Sequence, residues 1–168
     1  MSYSYGLVGQ VLTTLEAGGA LLLLGDVPFA TEQVARMRAL GARGLSSVPS
    51  SLRLLARAAL DGDGPLPLAY VASAGAPLDA ATVVLLREAF PGATVFNQYG
   101  LTEASPRVTA LSDAEDAFAR GSVGRALEGL EVFAVDGAGT RLPAGAEGEL
   151  AVRDAVLREA ARSPGRLV

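Results

Sequence analysis

The sequence predicts an α/β fold: a parallel sheet with flanking helices, followed by a small β section. Three observations carry this reading. Short apolar runs alternate with amphipathic stretches of about ten to twelve residues, the pattern of βαβ units. Glycine and proline clusters such as Asp61-Gly62-Asp63-Gly64-Pro65 separate them. After Pro106 the texture turns to turn-rich sequence and two-residue alternation.

The elements follow in chain order. Residues 6–17 carry Leu7, Val11, Leu12 and Leu15 at helical spacing, and Gly18-Gly19 end the run. Ala20 to Leu24 reads as a short buried strand closed by Gly25-Asp26. Thr31 reads as a helix N-cap before Val34, Met37, Arg38 and Leu40, with Gly41 as the stop. Gly44 to Val48 reads as a strand. Pro49-Ser50 opens a helix whose stripe is Leu52, Leu55, Ala56, Ala59 and Leu60. Leu68 to Ser73 is the next strand. Asp79 caps a helix with Val83, Leu86 and Phe90 inward, and Pro91-Gly92 breaks it. Ala93 to Phe96 is another strand.

Beyond it, Gly121 to Gly129 is turn-rich. Leu130 to Val135 alternates and Asp136-Gly137 marks a hairpin turn. Glu149 to Arg153 reads as a strand, and Asp154 to Arg162 as a helical tail that ends at Ser163-Pro164-Gly165. The expected division is residues 1–110 as the α/β core, 111–153 as a partial β subdomain, and 154–168 as a divergent tail.

A length of 168 residues suits one domain or a domain with a small appendage. Half the residues are hydrophobic, enough for a core and for surplus apolar surface. Such surplus either implies a homo-oligomer or a protein partner covering it or reflects no more than a high-GC composition heavy in Ala, Leu and Gly. No run reaches the roughly 18 apolar residues of a membrane span. With no signal-like N-terminus, the expected location is cytoplasmic. A net charge of −4 without a clustered basic face argues against a nucleic-acid partner.

Three absences restrict the chemistry of these residues. Without histidine there is no Ser-His-Asp triad and no His-ligated zinc. Without cysteine there is neither a disulfide nor a thiolate. All 14 basic residues are arginine, which excludes a Schiff base or a lysine phosphate clamp within this sequence. Carboxylates and tyrosine remain for acid/base work.

Two loops are expected after successive strands: Ser73-Ala74-Gly75-Ala76-Pro77-Leu78, and Asn97-Gln98-Tyr99-Gly100-Leu101-Thr102-Glu103. Ligands of open α/β sheets bind beyond the carboxyl ends of strands. Small residues in the first loop let a flat ring approach the backbone. The second offers an aromatic face, a hydroxyl and a carboxylate within five residues, and holds the sequence's one asparagine. Such a set suits a nucleotide: tyrosine on the base, threonine on a phosphate oxygen, glutamate on Mg²⁺. Each feature also has an ordinary reading, as a turn glycine, a packed tyrosine or a helix-start glutamate.

The run NQYGLTEASP closely resembles the signature of the adenylate-forming superfamily, which includes acyl-CoA synthetases, luciferases and peptide-synthetase adenylation domains. The resemblance extends to SYSYGLVGQVLTTLEAGGALLLL, to SAGAPLDAATVVLLREAFPGATVFNQYG, and to GSVGRALEGLEVFAVDGAGTRLPAGAEGELAVR. Together these cover about residues 2–153 in family order.

The resemblance implies roles. Gly75, Ala76 and Pro77 would line the adenine and acyl side. Asn97 and Gln98 would lie along the base and substrate pocket, and Tyr99 would stack on adenine. Gly100 and Leu101 would face the acyl group. Thr102 would contact phosphate and Glu103 would hold Mg²⁺. Tyr3 or Tyr5 would match the aromatic of the acyl pocket. The implied cofactors are ATP or AMP with Mg²⁺, and the implied substrate is an acyl or amino-acid small molecule.

Family members also carry an upstream phosphate loop ending near a lysine. Downstream they have a ribose-binding aspartate, a hinge and a C-terminal domain with a catalytic lysine. This sequence is expected to start after the first and stop before the others. Three functions follow: a truncated acid-activating ligase that adenylates poorly alone, a repurposed enzyme, or a non-catalytic partner or half of a split ligase. In the repurposed enzyme, Glu103, tuned by burial and acting alone or with Tyr99, would be general acid or base on an acyl or polyketide-like intermediate, without ATP.

Overall fold

The computed structural model describes residues 4–25, 27–154 and 161–166. A helical segment opens it: α1 (Ser4–Gly6), a π-helical stretch (Leu7–Leu12) and α2 (Thr13–Glu16). Then come α3 (Ala30–Ala39), β1 (Gly44–Ser47), α4 (Pro49–Asp61), β2 (Tyr70–Ser73), α5 (Ala80–Ala89) and β3 (Thr94–Leu101). β4 (Ser105–Ser112), a 3₁₀ turn (Asp116–Arg120) and β5 (Arg125–Ala126) follow. The last strands are β6 (Leu130–Val135), β7 (Glu149–Asp154) and β8 (Ala161–Arg166).

Five strands form one sheet in the order β1-β2-β3-β4-β5. β1, β2 and β3 are parallel, as the βαβ pattern predicts, with α4 and α5 as the crossovers. β4 and β5 extend the sheet antiparallel. A second sheet, β6-β7-β8, is antiparallel throughout. The first sheet runs through β5 and the second begins at Leu130, so residue 110 lies within β4.

Pattern explains the core. α4 starts on Pro49, whose missing N–H costs nothing at a helix start. It buries Leu52, Leu55, Ala56 and Ala59 on one stripe. α5 starts on Asp79, whose Oδ1 accepts from the Thr82 backbone N–H at 2.7 Å. It buries Val83 and Leu86, and Phe90 at its end is 1% exposed. These residues meet Val71 of β2, Val95 of β3 and Val34 and Met37 of α3 in one cluster. Phe133, Val135 and Ala151 make a smaller core under the second sheet.

Several expectations are corrected. Ala20 to Leu24 is not a strand: it pairs with no described strand, and only Leu22 and Leu24 pack toward the core. Thr31 lies inside α3; Phe29 holds the N-cap position with no side-chain cap bond. The expected helical tail is replaced at both ends by strand. Asp154 closes β7, and Ala161 and Arg162 belong to β8, paired with Val152 and Ala151. Residues 155–160 of that expected helix lie outside the described residues. Among the described residues, no helix is long and apolar enough to cross a membrane.

Candidate functional site

The end of α1 meets the carboxyl ends of β2 and β3 around a half-open cavity of about 150 Å³. Ser4, Tyr5, Ala74, Gly75, Gly100, Leu101, Thr102 and Pro106 line it. An apolar cavity of about this size holds one benzene-sized ring, whereas whole-ligand pockets run to roughly 300–1,000 Å³. The position is the one expected for ligands of open α/β sheets.

β3 is longer than the sequence suggests. Asn97 to Leu101, expected in a loop, continue the strand because β4 returns alongside and pairs with them. The register with β4 shifts between Tyr99 and Leu101, next to the cavity-lining Gly100 and Leu101. Only Thr102, Glu103 and Ala104 form the turn into β4.

Of the expected site residues, Tyr5, Gly75, Gly100, Leu101 and Thr102 come together at the cavity. Ala76 and Pro77 are exposed in the loop after β2. Strand alternation places Asn97 and Gln98 on opposite faces of β3. Asn97 is buried and its Nδ2 donates to the Ser122 carbonyl at 3.0 Å. Gln98 accepts at Oε1 from the Tyr5 hydroxyl at 3.3 Å. Tyr99 is half-buried, with a hydroxyl that has no hydrogen-bond partner among the described residues. Glu103 is exposed on its turn, so the burial expected to tune it as an acid or base is not found. Tyr3 lies outside the described residues.

Four contacts fix the N-terminal segment against this region. Tyr5 reaches Gln98. Ser4 Oγ shares a hydrogen bond with Thr102 Oγ1 at 3.2 Å. Gly9 is buried against Pro106, where an added Cβ would lie 3.2 Å from the proline Cβ. The Arg107 guanidinium donates to the Gly9 carbonyl, which also accepts from the Thr13 hydroxyl at 3.0 Å.

Gly75 has φ +85°, a conformation glycine adopts freely, and an added Cβ would stand 3.3 Å from Val48 Cγ1. Gly75 also borders the cavity, where its backbone can meet a flat ring. The Thr102 hydroxyl suits a phosphate oxygen. Among the described residues no group of three or more acidic, histidine or cysteine ligands could hold a metal by itself. The single Glu103 carboxylate fits Mg²⁺ in the mode where phosphate oxygens and water complete the shell.

A family model described as AMP-binding enzyme matches residues 1–158. The chain belongs to the AMP-binding enzyme family. The 4-coumarate–CoA ligase-like 4 protein of Oryza sativa subsp. japonica is 30% identical over 157 residues, covering 91% of this chain and 28% of that protein. The D-alanine–D-alanyl carrier protein ligase of Lacticaseibacillus casei (strain BL23) is 42% identical over 66 residues, 38% of this chain and 13% of the ligase. The crystal structure of VinN superposes with a TM-score of 0.67 at 32% identity, covering 80% of this chain and 34% of that one. The chain thus spans a minor part of these relatives. Within this AMP-binding enzyme segment, Ser4, Ala74 and Pro106 line the cavity without having been singled out in the sequence. All three sit inside the quoted motif runs, where none of them carries a role of its own.

Proposed function

We propose that these residues form part of the adenylate site of an acid-activating ligase. The observation that supports it is the convergence of Tyr5, Gly75, Gly100, Leu101 and Thr102 on one ring-sized cavity at the strand ends. Gly75, with Ala76 and Pro77 beyond it, offers backbone to the adenine side. Tyr99 supplies the aromatic face for the base. Gly100, Leu101 and Tyr5 (or Tyr3) border the acyl group, and Thr102 donates to phosphate. Glu103 holds Mg²⁺, which when bound offsets phosphate charge.

The substrate class is a small carboxylic acid. One VinN structure is a complex with L-aspartate, at 30% identity to this chain, which supports an acid at this site. The cavity is half-open and smaller than a ligand pocket, so these residues by themselves exclude little water. We expect them to bind nucleotide while forming adenylate slowly.

Thermal unfolding with AMP, with and without Mg²⁺, tests this. Saturation at 100 times Kd adds about 2.7 kcal/mol, which raises the Tm by several degrees at this chain length. Glu103→Gln is expected to abolish the Mg²⁺-dependent part of the shift and leave the AMP part. Absence of any AMP-dependent shift in the wild type would overturn the reading.

A further inference from the structure

We propose that Ser4 is a positioning residue for the phosphate of AMP, acting through Thr102. The inference rests on the nucleotide reading above and goes beyond it by assigning Ser4, which the family signature does not contain.

A hydroxyl has one proton and two lone pairs. Ser4 Oγ and Thr102 Oγ1 lie 3.2 Å apart, and either hydroxyl can be the donor. A phosphate oxygen only accepts, so with AMP bound Thr102 gives its proton to it beside Gly100 and Leu101, where both residues line the cavity. The lone pairs of Thr102 are then left for Ser4, which becomes the donor of the pair. Ser4 thereby completes the hydroxyl relay, and a hydroxyl that accepts one bond donates the next more strongly.

Ser4 holds this place because its helix is anchored independently of Thr102. Tyr5 bonds Gln98, Gly9 packs on Pro106, and Arg107 grips the Gly9 carbonyl. Losing the Ser4 hydroxyl should leave the backbone where it is and free Thr102 to rotate.

The test compares AMP with adenosine by calorimetric titration of the full chain. Ser4→Ala is expected to weaken AMP about three- to tenfold, the worth of one ordinary hydrogen bond. Adenosine affinity should be unchanged, and Ser4→Thr, which keeps the hydroxyl, should restore AMP binding. In a Thr102→Val background, Ser4→Ala should change nothing further. Equal losses for AMP and adenosine, or additive effects of the two substitutions, would show a merely structural serine and overturn the proposal. Wild-type protein that binds adenosine as well as AMP overturns it too, while the base site stands. Protein that binds neither removes the nucleotide reading along with it.

Discussion

At the scale of single residues, the Asp79 carboxylate that caps α5 shapes the acid response of the fold. Asp79 was legible as a cap because the cap bond spans three residues and needs no tertiary information. Its carboxyl is held below its ordinary value of 3.8, first by the Thr82 backbone N–H, then by the Thr82 side chain, with the Arg53 guanidinium adding to both. A lowered folded-state value stabilises the fold above the ordinary value, and that contribution is lost as pH falls through the folded one. The Tm of the wild type should therefore fall more steeply below pH 4 than that of Asp79→Asn. Parallel curves would remove Asp79 from the acid response. Asn97 shows the limit. Its type suggested a pocket residue, but facing is set by strand alternation, and burial aims its amide at Ser122. Gly124 is a quieter case, at φ +91° with an added Cβ placed 2.2 Å from the Ala110 carbonyl oxygen. Gly124→Ala combines backbone strain with a backbone clash between β4 and β5. It should lower stability by about 2 kcal/mol or more, measured by urea unfolding. A near-neutral result would mean that β5 can detach from β4 at little cost.

At the scale of elements, those with their own punctuation were found and those defined by a neighbour were not. α4 has its proline, its stripe and its closing loop in sequence. Ala20 to Leu24 has a strand's composition but no described strand beside it, so composition alone misled. The opposite holds for β3. Its second half contains glycine and polar residues that read as a loop, yet pairing with β4 keeps it extended. β8 is legible only through β7, since its sequence includes Pro164 and Gly165. The π-helical stretch had no sequence signal, and Arg107, which grips its Gly9 carbonyl, lies 98 residues away on β4. If β3 continues to Leu101, amide hydrogen exchange at Gln98 and Tyr99, paired with Ala110 and Thr109, should be slowed alongside that of Val95. Exchange at loop rates after Phe96 would return this segment to the loop that its composition suggests.

At the scale of the whole molecule, the apolar composition finds its counterpart on the surface. Val8, Leu12 and Leu15 fall on one helical stripe that faces solvent, Leu12 at 52% and Leu15 at 56% exposure. Leu23, Phe29 and Leu40 are also exposed. Scattered apolar residues are ordinary on a surface, whereas a helical stripe with its apolar side outward is a recognised mark of association. The opposite side of the same segment is spoken for, since Tyr5 and Gly9 lie against Gln98 and Pro106. The stripe can therefore be altered without touching the cavity. Sedimentation velocity over a concentration series should show the chain associating with itself, and Leu12→Gln with Leu15→Gln should shift it toward monomer. The AMP-dependent rise in Tm should survive in the double variant, because neither leucine lines the cavity. A wild type that sediments as a monomer at the highest concentrations would show that this stripe drives no self-association. Loss of the AMP response together with association would instead tie the stripe to the placement of Ser4 and Tyr5.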